Sequence, residues 1–310
     1  MDIMQINRKN IFKKYKWLKE KKRPFIISSD YDGLICASFL SHHLDWNLVG
    51  YYDYNAIWLS EEAQKYKRDI IWVDLNILPK TGKSIGGQIV SLEKETPYGF
   101  ESSFNANIMA KISSDNFINK FPFSTLLLLM WLYDIEYKNN NIGKLLILHS
   151  DNTWMKIQKY QSNVLFWKNK LIEYKWDLLF SKIDTIDYET KVDQFLYPKL
   201  IKIDAVSKFG KLASKYLKIK SREGFLNPDW DEDVFLKLFS LFAEALGWTP
   251  PALPVISKRI EGKQFKLPLN HIKAKGLNKF LNDKKVFSYA ITNPNNFSYT
   301  VFKSYHSNDK

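Results

Sequence analysis

The chain of 310 residues contains one cysteine, Cys36, so it can close no intrachain disulfide and build no thiolate zinc cluster. That shortage fits a cytoplasmic protein. Set among apolar residues in an expected helix, Cys36 reads as a small buried hydrophobe and is assigned no catalysis. Long apolar runs are missing too. The longest, Leu126 to Leu132, falls far short of the roughly 18–20 residues of a spanning helix, so a soluble protein with no membrane partner is expected. The opening stretch MDIMQINRKNIFKKYKWLKEKKRP has neither an apolar core nor a small-residue cleavage site, so no secretory signal is expected. Phosphate-cradling glycine loops are absent as well: Gly82-Lys83-Ser84 lacks the preceding glycine of a P-loop. There is no internal repeat and no low-complexity segment.

What is present is a basic, aromatic-rich chain. Lys and Arg outnumber Asp and Glu by 46 to 33, a formal charge of +13 that attracts polyanions, with nucleic acid as the leading partner class. A lysine-rich surface that merely stays in water gives the same count. The 45% hydrophobic and 15% aromatic content supplies a sizeable core and excludes an intrinsically disordered chain.

Patterning divides the chain into four parts. Residues 1–23 read as a basic amphipathic helix, with Ile11, Phe12, Tyr15, Trp17 and Leu18 at helical spacing. Residues 24–153 alternate strand and helix. Phe25-Ile26-Ile27 is a buried strand after Pro24, and Leu34 to Leu44 is a helix. Val49 to Tyr54 is a second strand, Ser60 to Tyr66 a capped helix, Asp69 to Asp74 a third strand, Phe123 to Tyr133 an apolar helix and Lys144 to His149 a further buried strand. Residues 154–200 read as a helical linker, beginning with a long stretch from Trp154 to Leu179. Residues 201–310 read as a smaller α+β domain with a helix over Trp230 to Leu246 and strands at Val286 to Ile291 and Phe297 to Phe302. The fold class expected is α/β, a mostly parallel sheet flanked by helices, followed by that smaller domain.

The chemistry concentrates in aspartates placed after strands. Asp30 and Asp32 stand two apart in the turn Ser28-Ser29-Asp30-Tyr31-Asp32-Gly33, Asp74 ends a strand, and Asp151 follows the apolar run that ends at His149. Carboxylates at one end of adjacent parallel strands come within a few ångströms of one another, since strands lie about 4.8 Å apart. Such a cluster repels itself unless a cation neutralises it. All-oxygen sites of this kind suit Mg²⁺ or Mn²⁺, one or two ions, and metal-assisted hydrolysis of a phosphodiester. Each aspartate alone reads equally as the N-cap of the helix that follows it.

FIISSDYDGLICASFL, residues 25–40, resembles the first motif of the DHH phosphoesterase superfamily. IWVDLNI with Asp74 is similar to the second and LLILHSD with Asp151 to the fourth, in order over residues 24–170. The resemblance implies Asp30, Asp32, Asp74 and Asp151 as metal ligands and Asp32 and Asp74 as the catalytic carboxylates; His149, two residues before Asp151, is a further candidate ligand, and reads more simply as a strand residue with one satisfied ring nitrogen. It implies a nuclease or oligonucleotide phosphodiesterase. The Asp-His-His motif that names the family is absent: its place holds Gly87 and Gln88. Asn105-Ala106-Asn107 looks like the Asn-Pro segment without its proline, and the second domain's glycine-rich motif is missing. In that domain Lys258, Arg259, Lys263, Lys266, His271, Lys273, Lys275 and Lys279, interleaved with Phe265 and Phe280, form a candidate nucleic-acid surface.

Two other functions remain open on the sequence. One is a degenerate family member that binds nucleic acid or a protein without cutting. The other is a haloacid-dehalogenase-like phosphatase, suggested by Asp30-Tyr-Asp-Gly, although Leu34 stands where that family has Thr.

Overall fold

The computed structural model describes residues 5–66, 69–74, 77–78, 82–137, 141–173, 175–180, 185–205 and 225–302. Leu75 and Asn76 of the second motif, and the stretch 206–224 that opens the expected C-terminal domain, lie outside them.

Short apolar runs make the first strands. β1 (Pro24–Ser28) is buried throughout, as are β3 (Ala56–Ser60) and β4 (Ile71–Val73); in β2 (Asn47–Tyr52) only Asn47 is exposed. β1 pairs in parallel with β2 on one side and β4 on the other, and β5 (Lys83–Gly86) and β6 (Phe104–Asn105) extend the parallel part beyond β4. The rest is antiparallel. β2 turns back into β3, β3 pairs with the first half of the long β7 (Ile256–Pro268), and the second half of β7 pairs with β9 (Asn296–Phe302), which pairs with β8 (Ser288–Asn293). Among the described residues these nine strands form one sheet in the order β6-β5-β4-β1-β2-β3-β7-β9-β8. The architecture is α/β, parallel in its first strands and mixed as a whole.

The sheet curls until its far edge returns. Ile77, just after β4, bridges Ser288 of β8; Leu78 N donates to Phe287 O at 2.9 Å, and the hydroxyls of Tyr52 and Ser288 meet at 2.6 Å. Alternation along the strands then sorts the side chains. Ile26, Val49, Tyr52, Ile57, Trp72, Ile260, Phe287 and Phe302 pack inside the curl, while Phe25, Ile27, Tyr51, Ile71 and Val73 face the helical layer.

That layer includes two helices buried on nearly every side, over Tyr31–Leu44 and Thr125–Leu132. After α1 (Arg8–Lys14) comes α2 (Tyr31–Leu44), which packs on β1. Next are α3 (Glu61–Lys65), α4 (Ala106–Met109), α5 (Thr125–Leu132), whose eight residues are all buried, and α6 (Asn141–His149). α7 (Thr153–Lys159), α8 (Gln161–Lys170), α9 (Asp177–Phe180), α10 (Thr185–Lys191) and α11 (Tyr197–Lys202) follow. α12 (Glu232–Leu246) lies against α2 and α6, and α13 (Leu269–Lys275) and α14 (Leu277–Asp283) separate β7 from β8. No helix among the described residues is long and apolar enough to cross a membrane.

Several expected elements change. The run Lys144 to His149 is part of helix α6, not a strand, so Asp151 follows a helix. The long helix from Trp154 breaks at Tyr160 and again after Lys170, and the N-terminal basic helix stops at Lys14, giving way to a 3₁₀ turn at Lys16–Lys19. The basic tract from Lys258 holds β7, α13 and α14.

Candidate metal centre

β1 and β4 are neighbours, so the residues leaving their carboxyl ends meet. Asp30 caps α2: its Oδ1 accepts from Gly33 N at 2.9 Å and from the Ser28 hydroxyl at 2.5 Å. Gly33 is required by this turn, because a Cβ there would lie 2.1 Å from the Ser28 carbonyl oxygen. Asp32 stands in the first turn of α2. Asp74 leaves β4 in a left-handed conformation (φ 60°) fixed by its N–H donating to Ile85 O at 3.0 Å, and its Oδ2 lies 3.3 Å from the Ser28 hydroxyl. One carboxylate oxygen from each of Asp30, Asp32 and Asp74 falls within 4.8 Å of the others.

Burial raises the pKa of all three, and mutual repulsion adds to it. For Asp32, already well above the ordinary range through desolvation, Asp30, Asp151 and Asp74 push further. Asp74 is raised by burial and then by Asp30. For Asp30 burial outweighs the Ser28 and Gly33 hydrogen bonds. Three half-buried carboxylates in this state take up either protons or a cation. The Thr125 hydroxyl at the start of α5 is 1% exposed, lies close enough to Asp74 to favour its ionised form, and has no well-formed hydrogen bond to a described group. An oxygen-only donor set with a buried hydroxyl beside it suits Mg²⁺ or Mn²⁺.

Asp151 stands one step outside this group. It sits in a left-handed turn (φ 48°), and its N–H donates a short hydrogen bond to Asp32 Oδ1. Its own Oδ2 is engaged: Lys156 Nζ reaches it at 2.7 Å and Gln88 Nε2 donates to it at 3.0 Å. Nearby Lys120 is pushed down to about 8 by burial and by Lys156, partly offset by Asp151. His149 lies on α6, edge-on to Tyr31 at 5.5 Å, outside the aspartate group; burial pushes it down to about 3 and neither ring nitrogen has a described hydrogen-bond partner.

The segment replacing the family histidines is held from beneath. Asn107 donates to Gly87 O at 2.6 Å and accepts from Phe121 N at 2.7 Å, while Asn105 caps α4. A Cβ on Gly87 would come 2.5 Å from the Phe121 ring, so a histidine has no room there. Lys120, Thr125 and Lys156 went unread in the sequence. Lys156 lies in an amphipathic basic helix, and nothing in its spacing marks it.

The eight basic residues proposed for nucleic acid are all exposed, and they divide. Arg259 pairs with Asp229 (3.1 Å) and Glu261 (3.0 Å), Lys273 with Glu93 (2.9 Å) and Lys275 with Asp283 (3.1 Å). Lys258, Lys263, Lys266, Lys279 and His271 form no ion pair with a described residue. Alternation along β7 puts Lys263 with Phe265 on one face and Lys266 on the other. Lys266 lines a cavity of about 260 Å³ with Tyr54, Phe225, Ser298 and Thr300.

No protein-family model, curated protein or solved structure matches this chain.

Proposed function

We propose that this chain is a metal-dependent phosphodiesterase-like protein acting on single-stranded nucleic acid or short oligonucleotides. The observation that carries the reading is the convergence of Asp30, Asp32 and Asp74 within 4.8 Å at the carboxyl ends of adjacent parallel strands. Ligand sites of open α/β sheets form at such ends. Mn²⁺ or Mg²⁺ held there would supply Lewis-acid polarisation of a phosphoryl oxygen and a more acidic water. Asp32 and Asp74 hold the charge that such an ion needs; Asp30 holds position through Ser28 and Gly33. Lys258, Lys263, Lys266 and Lys279 are the residues offered to a phosphate backbone.

The test is cleavage of labelled single-stranded and duplex DNA and RNA with Mn²⁺, Mg²⁺ or EDTA. Single strands are cut only with a divalent ion, and Asp74→Ala abolishes cutting while binding survives. Cutting that persists in both Asp32→Ala and Asp74→Ala refutes the assignment.

A second reading, binding without cleavage, draws on Gly87 and Gln88. The Phe121 ring closes position 87, and Gln88 is spent on Asp151. A wild-type chain that binds single strands and stays inert with every ion favours it.

A further inference from the structure

We infer that the ammonium group of Lys156 takes the place of a second metal ion, so that the centre holds one divalent cation and not a pair. The inference rests on the metal-centre reading above and fixes its stoichiometry. In a two-ion carboxylate centre, the metals sit about 3.5–4 Å apart and each needs its own oxygen ligands. Here Asp30, Asp32 and Asp74 share one locus, and the carboxylate that would anchor a second ion, Asp151, is already neutralised by Lys156 at 2.7 Å and hydrogen-bonded by Gln88 at 3.0 Å. The Asp151 N–H also occupies an oxygen of Asp32, the residue placed to bridge the two loci.

Charge balance points the same way. Counting Asp30, Asp32, Asp74 and Asp151 against Lys120 and Lys156, four negative charges meet two positive ones. One divalent ion cancels the remainder, and a second would leave a surplus of two in a half-buried pocket, where unpaired charge is costly. The buried Thr125 hydroxyl lies beside Asp74 and favours its ionised form, which puts one more oxygen at the three-aspartate locus. A lysine cannot leave when the ion concentration falls. The Asp151 half of the centre is therefore permanently neutralised, and only the Asp30, Asp32 and Asp74 half exchanges with solvent.

Manganese chloride titrated into the full chain, with free Mn²⁺ read by electron paramagnetic resonance, tests this directly. The wild type binds one ion per chain with an uncoupled spectrum. Lys156→Met combined with Gln88→His, checked for native near-ultraviolet circular dichroism, releases Asp151 and adds an imidazole, and binds two. Two exchange-coupled ions in the wild type overturn the inference and leave the metal-centre reading standing, as does a folded double variant that still takes one. No bound ion in the wild type overturns both.

Discussion

Asp32→Asn tests whether the aspartates really wait for a cation. The three ligand oxygens lie within 4.8 Å, and two unit charges at that distance repel by about 3.5 kcal/mol at an effective dielectric constant of about 20. Asp32 faces two such partners, so full ionisation costs about 7 kcal/mol. Keeping one carboxyl protonated near neutral pH costs less, about 4.4 kcal/mol at about 1.36 per pH unit above the ordinary 3.8. That cheaper route sets the ceiling. The folded pKa values are raised, so the cluster's contribution is most favourable below the unfolded value of about 4 and is lost as pH rises through the folded values. The asparagine keeps the acceptor for the Asp151 N–H and removes the charge. In EDTA near pH 7 the variant is therefore more stable than the wild type by about 2–4 kcal/mol, and near pH 4 the gap closes. Mn²⁺ at about a thousandfold excess over Kd reverses the order, since the wild type then gains about 4.1 kcal/mol and the variant gains little. Urea unfolding followed by tryptophan fluorescence, at both pH values with and without Mn²⁺, reads all of this. A variant less stable than the wild type in EDTA at neutral pH refutes the reasoning.

Gly87→Ala drives a methyl group into the Phe121 ring and lowers stability by about 1–3 kcal/mol in the same urea assay. His149 is held neutral with its pKa down to about 3, so the wild type loses stability as pH falls below the unfolded value of about 6.5; His149→Leu removes about 2 kcal/mol of that loss between pH 7.5 and pH 5. Charge reversal at Lys258, Lys263, Lys266 and Lys279 reduces the salt dependence of single-strand binding, each lost phosphate contact lowering the slope by about 0.7. An unchanged slope in fluorescence anisotropy titrations makes these lysines a solvated surface.

The parallel half of the sheet was legible because β1 and β4 are short apolar runs punctuated by Pro24, Ser28-Ser29 and Asp74. α2 announced itself through its cap, Asp30, and its small residues. The segment KLLILH carried no such punctuation. A short run buried on all sides has the same composition in a strand and in a helix, and α6 is decided by what surrounds it: Gly143 lets the helix approach α12, where a Cβ would lie 3.0 Å from Leu246. β3 was lost between two strong signals, the aromatic end of β2 and the Ser60 cap. β7 was read as a charged surface because its exposed lysines hide an alternation whose inward members are only Ile260 and partly buried residues. In the aspartate cluster, Asp30, Asp32 and Asp74 were visible from their positions after strands, whereas Asp151 follows a helix, and Lys156 reaches it through a turn with two left-handed residues, Asp151 and Asn152, whose path no linear spacing reveals.

The curl of the sheet has a consequence for how the chain is made. Tyr52 is joined to Ser288 across 236 residues, and a ribosome adding about 5–20 residues per second takes on the order of ten to fifty seconds to span that gap. Throughout that time the inward side chains of β1, β2 and β4, among them Ile26, Val49 and Trp72, lack Phe287 and Phe302 to cover them. The nascent chain is thus a client for any factor that shields apolar surface during synthesis. A product truncated before β8 would keep its strands' sequence yet expose that surface for good, marking it for aggregation or proteolysis.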